Sequence, residues 1–531
     1  MDILGIGTQK DAPACRHNSR QLHAAMLIVS GKPSPLMESP DTRRSRKGYT
    51  LLILSISLAT FMSSLDGTIV NIALPAITES FGLTTTTVSW VATSYLLVMV
   101  GCILVFGKIS DTVGYKKIFL SGFAIFTLGS FFCGFLPEIV LGFPSLVASR
   151  VFQAVGGAMI MSVAAAMITA YIPAELKGKA MSIIMLFAAL GTAIGPTIGG
   201  ILTQYLSWHW IFFINVPVGI FAILLGAKVI PASQTVAGGE AFDKLGAGLV
   251  FVGLASLVFV VSEVLTLGLT SPVILGTAAL AAVTLGGFVY RELGLADPLL
   301  DLALFRDRNF FLTNLLLFLV FFSFSGISYL LPFYLEYVHG YDTSSAGLIM
   351  TSLSFAMMIA GLIAGMAFNR LGPRRLCILS CIPLIIGYFM MTKLFIQTST
   401  GFVTLALALI GFGLGLIVTP VTTMIMMSVS KSKAGMVSSL TSLERTAPMS
   451  IGIAAYNVIL IVGVIAIANS YEVTLKSPAD IQREVLAAGF DLAFLLSLML
   501  GFVILILSFA IKEVMHPDYS EEAALLQKNS R

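Results

Sequence analysis

Long apolar segments separated by short polar breaks recur through the chain from residue 50 onward. Each can cross about 30 Å of hydrocarbon as a helix, because a helix rises about 1.5 Å per residue. Strands of a membrane barrel would be shorter and would alternate apolar with polar side chains, so these segments predict helices. The fourteen segments are 50–74, 86–107, 118–136, 144–171, 179–204, 210–229, 245–265, 272–290, 310–335, 345–368, 376–396, 401–428, 437–468 and 488–511. They predict an all-α integral membrane protein with fourteen transmembrane helices.

The composition agrees with a protein that lies in a lipid bilayer, and the sequence offers no sign of a nucleic-acid or cofactor partner. Hydrophobic residues make up 57% of the 531 residues and charged residues 11%, far from the balance of a soluble protein. The basic residues form no single patch, so we expect no nucleic-acid partner. Nucleotide-binding, metal-binding and nucleophile motifs are missing from the sequence, so we expect no cofactor, no metal and no enzymatic activity. A membrane receptor or a lipid-modifying enzyme is the competing class.

Lysine and arginine are distributed unevenly between the two sets of connections. One set holds only Lys393, Lys476 and Arg483, and the other holds most of the basic loop residues. Because cytoplasmic loops carry the excess of basic residues, we expect both termini in the cytoplasm. The expected location is the plasma (inner) membrane. The basic-rich connections contain Lys108, Lys116, Lys117, Lys177, Lys179, Lys228, Lys244, Arg291, Arg306, Arg308, Arg370, Arg374, Arg375, Lys431 and Lys433.

An internal repeat links the loop after the second segment with the loop after the tenth. Gly107, Asp111, Gly114, Lys116 and Lys117 have the same spacing as Gly365, Asn369, Gly372, Arg374 and Arg375. Parallel repeats of this kind are typical of carriers whose two halves rock about a shared site. The predicted organisation is a flexible cytoplasmic extension at 1–48, a six-helix bundle at 49–230, a linker with two extra helices at 231–309, a second six-helix bundle at 310–512 and a cytoplasmic tail at 513–531. The alternative for the extension is a mis-set start, with Met37 as the real first residue.

Several motifs resemble signatures of the major facilitator superfamily. The stretch 107–117 resembles its loop signature, 146–157 its signature in the fourth span, and 191–200 its antiporter signature in the fifth. The stretches 65–75 and 208–219 are similar to signatures of the fourteen-span drug:proton antiporters. The loop departs from the family pattern at Thr112 and Tyr115, where basic residues are usual, so Arg370 of the second half is a candidate replacement.

The resemblance implies the major facilitator fold and a proton-coupled secondary active exporter of small amphipathic or cationic compounds, working by alternating access. The alternatives are a dedicated exporter of one endogenous metabolite or lipid, and a proton-coupled importer. The expected partners are a small-molecule substrate, protons and the lipid bilayer. A membrane-fusion protein is a further partner if the host has an outer membrane.

Two charged residues within the predicted spans lie at similar depth. Asp66 is about 24 Å along the first span from its cytoplasmic start, and Arg150 is about 9 Å below the outer end of the fourth, at about 1.5 Å per residue. An unpaired charge there costs several kcal/mol, so we predict that the two side chains pair, directly or through Gln153. A carboxylate that loses its arginine partner changes its affinity for a proton, which is the chemistry of proton coupling. The simpler hypothesis is a static ion pair that only specifies helix packing.

Two further groups are candidates for the conformational switch. Gly191, Gly195 and Gly199 form a smooth stripe for close helix packing, with Pro196 and Gly200 completing the antiporter motif. This stripe serves either packing alone or the movement of the halves.

The other group is a predicted cytoplasmic gate, in which Asp111 reaches the opposite half and Lys116 and Lys117 lie at the lipid headgroups. A role in topology alone is the alternative for this loop. The gate comprises Gly107, Asp111, Gly114, Lys116, Lys117 and Arg370.

Three further ionisable residues lie in or near predicted spans. Glu444 and Arg445 could pair with each other or with another helix, and Glu263 is expected to reach water at the outer end of its helix.

Overall fold

The structure is a computed structural model that describes residues 46–172, 174–231, 243–295, 300–429, 434–470 and 478–513. Some helical side chains within these ranges, including that of Asp111, lie outside the description. The predicted extension at 1–48 and tail at 513–531 fall almost wholly outside it. All regular elements in the described ranges are helical.

The first group of helices ends at residue 229. A short helix at Trp210–Phe213 precedes the last of them, and the two together form one apolar span. The helices are α1 (Arg46–Phe81), α2 (Trp90–Val113), α3 (Tyr115–Phe135), α4 (Phe143–Tyr171), α5 (Ala174–Tyr205) and α6 (Asn215–Val229).

Two helices follow and then a second group of six. The two are α7 (Lys244–Leu267) and α8 (Pro272–Glu292). The second group is α9 (Arg308–Phe333), α10 (Thr343–Leu371), α11 (Pro373–Met391), α12 (Thr400–Met427), α13 (Ala434–Ser470) and α14 (Ala479–Ala510). A π-helical turn at Tyr334–Val338 extends α9 beyond Pro332, which cannot donate a backbone hydrogen bond.

The membrane-spanning prediction is confirmed. Within the described residues, 13 helices are long and apolar enough to cross a bilayer, and α7 supplies a shorter apolar stretch, Leu245–Val261, where the seventh segment was predicted. Most helices extend a few residues beyond the apolar segments, because polar caps and interfacial turns continue the helix past the hydrocarbon.

The internal repeat is visible in the backbone. Gly114 joins α2 to α3 with φ 97°, and Gly372 joins α10 to α11 with φ 77°. Both are in a conformation that a side chain disfavours, so glycine is needed at each turn. The two corresponding turns therefore change direction in the same way.

One helix of the inserted pair packs against both groups of six. Helix α7 contacts α2 of the first group and α13 of the second, besides its partner α8. Trp90 at the start of α2 donates from Nε1 to Glu263 Oε1 of α7 at 3.2 Å. Glu263, which is half-buried, therefore also binds a neighbouring span, a contact that sequence depth alone does not show.

One end of the helices carries a layer of contacts between the first and second groups. Asn71 Nδ2 of α1 donates to Ser328 Oγ of α9 at 2.8 Å. The hydroxyls of Thr197 on α5 and Thr351 on α10 hydrogen bond to each other. Both contacts lie toward the end at which α1, α5 and α9 finish and α10 begins. We call this layer, completed by the packing of Gly200 on Thr343, the outer contact layer, after the orientation that the loop charges predict.

Candidate functional site

A buried ion pair joins α1 to α4. Arg150 Nη1 lies 2.8 Å from Asp66 Oδ2, and the two residues are 1% and 0% exposed. Gln153, also fully buried, accepts from Arg150 Nη1 at 2.6 Å and donates from Nε2 to Asp66 Oδ1 at 3.0 Å. The structure therefore brings together the three residues that the sequence singled out for coupling.

A fourth residue completes this site from α6. Asn215 donates from Nδ2 to Asp66 Oδ1 at 2.9 Å and is 1% exposed. The carboxylate thus accepts from three side chains. Arg150 donates to Oδ2, and the amides of Gln153 and Asn215 both donate to Oδ1. We call Asp66, Arg150, Gln153 and Asn215 the buried cluster. Asn215 belongs to the sixth-span signature, but a lone amide in an apolar span gave no means of choosing its partner from sequence.

The guanidinium of Arg150 is surrounded by further contacts. Its Nε donates to the carbonyl oxygen of Val91 at 3.1 Å, and it lies over the ring of Tyr95, 4.1 Å from the centroid. The ring of Phe212 is 5.6 Å away on another side. Aromatic faces stabilise a desolvated cation. Removing one partner of such a pair leaves a buried charge uncompensated, which costs about 3–5 kcal/mol.

Small residues on α3 and α4 allow this geometry. Arg150 and Gln153 are three residues apart and so share one face of α4. A Cβ added at Gly129 of α3 would lie 2.6 Å from the Cα of Gln153, and one at Gly156 would lie 2.6 Å from the carbonyl oxygen of Gly122. Glycines thus let the two backbones approach until the Gln153 amide reaches the carboxylate.

The two positions of the second group that correspond to this ion pair carry no charge. The repeat places Phe324 at the position that corresponds to Asp66, and Ala408 at the position that corresponds to Arg150. The cluster is therefore not required by the repeated architecture.

The antiporter motif lies between α1 and α10. A Cβ at Gly191 would lie 2.5 Å from the carbonyl oxygen of Phe61, and added atoms at Gly195 and Gly199 would also meet α1. On the other side, a Cβ at Gly200 would lie 2.5 Å from the carbonyl oxygen of Thr343. The carbonyl oxygen of Pro196 packs against Gly347 of α10. Helix α5 is therefore in close contact both with the helix that carries Asp66 and with the second group.

The predicted gate residues occupy separate places. Gly107 is half-buried, Gly114 forms the turn described above, and Lys117 is exposed. Lys116 Nζ donates to the carbonyl oxygen of Ala227 at 2.8 Å, and its predicted place at the lipid headgroups stays a prediction. The carbonyl groups at the C-terminal end of a helix attract a cation. The count of basic residues in loops gives the orientation of the chain but not such contacts.

Arg370 lies with residues of its own group. It is exposed and lines a cleft of about 660 Å³ together with Arg374, Arg375, Lys512 and Glu513. Lys116 and Arg370 therefore lie against different groups of helices. The side chain of Asp111 is outside the described residues, so its contact with the opposite half stays a prediction.

Glu444 and Arg445 do not pair in the described part of the chain. Glu444 is 8% exposed and its Oε2 has no hydrogen-bond partner. Arg445 is exposed, with its guanidinium 5.3 Å from the centroid of the Phe321 ring.

The fold and the buried cluster define a multi-pass helical membrane transporter built from two related groups of helices. A family model described as Major Facilitator Superfamily matches residues 56–453. The chain belongs to the major facilitator superfamily, and the resemblance found in the sequence is confirmed.

Two relatives agree with this family, and a solved structure agrees in fold. The chain is 32% identical to "Riboflavin transporter RibZ" of Clostridioides difficile, over 77% of this chain and 87% of the relative. It is 33% identical to "Multidrug resistance protein Stp" of Mycobacterium tuberculosis, over 82% of this chain and 80% of the relative. The crystal structure of a D-xylose-proton symporter aligns with a TM-score of 0.61 at 13% identity, covering 88% of this chain and 98% of that chain, and so matches in fold.

Proposed function

We propose that this protein is a proton-coupled exporter of small amphipathic compounds, a drug:proton antiporter that works by alternating access. The observation that carries the proposal is the buried cluster, because it holds a titratable carboxylate inside the bilayer against a cation on another helix. Relatives named as multidrug resistance proteins support export of foreign compounds.

Asp66 is the proposed proton carrier. In the conformation with the outer contact layer formed, Arg150 and two amides bind its carboxylate. Movement of α1 relative to α4 and α6 would remove these donors, and the free carboxylate would then take up a proton. Each proton that crosses the membrane carries about 2.3 kcal/mol per 100 mV of membrane potential, besides the contribution of the pH difference.

The antiporter motif is the proposed link between this proton step and the movement of the halves. Helix α5 packs on α1 through Gly191 and on α10 through Gly200. A shift of α1 would therefore reach the second group through α5. The bundle boundaries given above, at 49–230 and 310–512, describe the bodies that we propose to move.

The proposed location is the plasma (inner) membrane, and the loop charges support both termini in the cytoplasm. Protons and a small-molecule substrate are the proposed partners, with a membrane-fusion protein added where the host has an outer membrane. The predicted gate around Asp111 is proposed to close the cytoplasmic side.

A dedicated exporter of one endogenous metabolite is the second candidate, and the relative named as a riboflavin transporter favours it. A growth-inhibition panel in a pump-deficient host separates the two candidates. Protection against chemically unrelated compounds supports the multidrug exporter, whereas protection against one compound class supports the dedicated exporter. Loss of protection against every compound tested, with normal expression, would contradict export.

A further inference from the structure

Arg445 is a charged residue inside a span that the buried cluster does not use. It lies on α13 about 8 Å inside the apolar span Leu440–Ser470, at about 1.5 Å per residue. Its side chain is exposed, and within the described residues no carboxylate forms an ion pair with it. A lone charge in a membrane-spanning segment faces the protein interior or an aqueous cavity and indicates a functional site.

The contact with Phe321 shows which way the guanidinium points. Phe321, Phe324 and Ser328 are spaced by three and seven residues and so share one face of α9. Ser328 accepts from Asn71 of α1, and Phe324 lines a small cavity with Thr68 of α1. This face of α9 is therefore turned toward the first group of helices.

Of these three residues, Phe321 is the closest to the start of α9. It is half-buried, unlike Phe324 and Ser328, which are buried. The guanidinium of Arg445 lies 5.3 Å from the centre of its ring. The cation and the ring thus lie together at this face of α9, about 10 Å along the helix from Ser328.

The other ionisable groups nearby do not offer a negative charge at this place. Adjacent residues on a helix do not face the same way, and Glu444 is buried while Arg445 is exposed. The carboxylate of Asp66 is already bound by Arg150 and two amides. An organic cation would therefore meet an unpaired positive charge at this position, and an organic anion would find a partner.

We propose that Arg445 and Phe321 form a substrate subsite for flat aromatic compounds that carry an acidic group. The planar guanidinium presents parallel N–H donors that match a carboxylate, and the phenyl ring beside it stacks with an aromatic substrate. This subsite rests on the proposed export function and specifies the charge of its substrates. It differs from the cationic compounds that the family resemblance implies.

Two dyes with the same three-ring xanthene core test the subsite. Fluorescein is anionic near neutral pH and rhodamine 123 is cationic. Their affinities are measured by fluorescence anisotropy with purified protein in nanodiscs, and their export is measured in cells. The variants are Arg445→Gln, Arg445→Lys and Phe321→Leu, with Arg308→Gln as the matched control because Arg308 is exposed at the start of α9.

We expect the wild type to bind and export fluorescein. Arg445→Gln should weaken fluorescein binding about 10-fold or more, since a charge-assisted contact is lost, and should leave rhodamine 123 binding unchanged or tighter. Arg445→Lys should recover part of the fluorescein affinity, Phe321→Leu should weaken both dyes, and the control should match the wild type. Melting temperatures of all variants identify any that fail to fold.

Three results would overturn the subsite. The first is unchanged fluorescein binding in a folded Arg445→Gln protein. The second is an equal loss of affinity for both dyes in Arg445→Gln that Arg445→Lys does not recover, because that result indicates a packing role for Arg445. A wild type that exports rhodamine 123 but neither binds nor exports fluorescein would refute the subsite and leave the export function standing. A wild type that exports neither dye and protects against nothing would refute both.

Discussion

A single methyl group at Gly200 should shift the balance between the conformations of this protein. The glycine lies in the outer contact layer, where an added Cβ would come within 2.5 Å of the carbonyl oxygen of Thr343 and 3.0 Å of the Cα of Ser344. Both are backbone atoms, so no side-chain rotation relieves the clash. Gly200→Ala therefore forces α5 and α10 apart in the conformation described here.

The size of the shift follows from the cost of overpacking. Extra carbon in a tight contact costs about 1–3 kcal/mol, and this cost applies only while the two helices are in contact. The population ratio of separated to packed helices should rise by about 5- to 150-fold. Gly276→Ala is the control, because nothing lies within 4 Å of a Cβ at that position on α8.

Double electron–electron resonance between spin labels at Gln204 and Leu348 measures this ratio. Both residues are exposed, Gln204 near the last residue of α5 and Leu348 near the first residues of α10. We expect the longer-distance population to increase in Gly200→Ala and to stay at the wild-type level in the control. An unchanged distance distribution in a folded Gly200→Ala protein would show that the α5–α10 contact does not limit the conformational change.

The remaining predictions concern the buried cluster, the inserted helices and the topology. Asn215→Ala removes one donor from the buried carboxylate, so it should lower the unfolding free energy by about 1–3 kcal/mol and slow gradient-driven export; a wild-type melting temperature and rate would contradict this. Arg291 hydrogen bonds to both carboxylate oxygens of Asp243 at 2.8 Å and lowers the pKa of Asp243. Since that pKa lies below its unfolded value of about 3.9, the pair stabilises the fold above about pH 4 and the stabilisation is lost as the pH falls through the lowered pKa. Arg291→Gln should therefore reduce the melting temperature at neutral pH more than at pH 3, and an equal reduction at both pH values would refute this. Cysteine labels should react from the cytoplasm at Lys117 and from outside at Ile139, and the reverse pattern would refute the proposed orientation.

The helical fold could be predicted because one property, apolar length, determines where a chain crosses the bilayer. The repeated turn at Gly114 and Gly372 was visible as matched spacing. The packing of α7 between α2 and α13 could not be predicted, since a hydropathy pattern gives the order of the spans and not their neighbours. The bundle boundaries and the termini remain predictions.

The sequence predicted the depth of the site residues along their helices, but not the direction in which each helix faces. The rise per residue placed Asp66 and Arg150 at similar depth, and the structure has them in contact. Depth does not give the rotation of α6, so Asn215 was missed although it lies in a recognised motif. For the same reason the sequence did not predict the bond from Lys116 to the last turn of α6.

The central claim is that Asp66 carries the proton that drives export. Its direct test is uphill transport into proteoliposomes with an imposed pH gradient, comparing wild type with Asp66→Asn at equal protein levels. Asparagine keeps the size and hydrogen-bonding capacity of aspartate but has no titratable proton. Asp307→Asn is the control, because Asp307 caps α9 outside the cluster and asparagine caps equally well. We predict that Asp66→Asn loses uphill transport while substrate binding survives and the control stays active; undiminished uphill transport by Asp66→Asn would contradict the account.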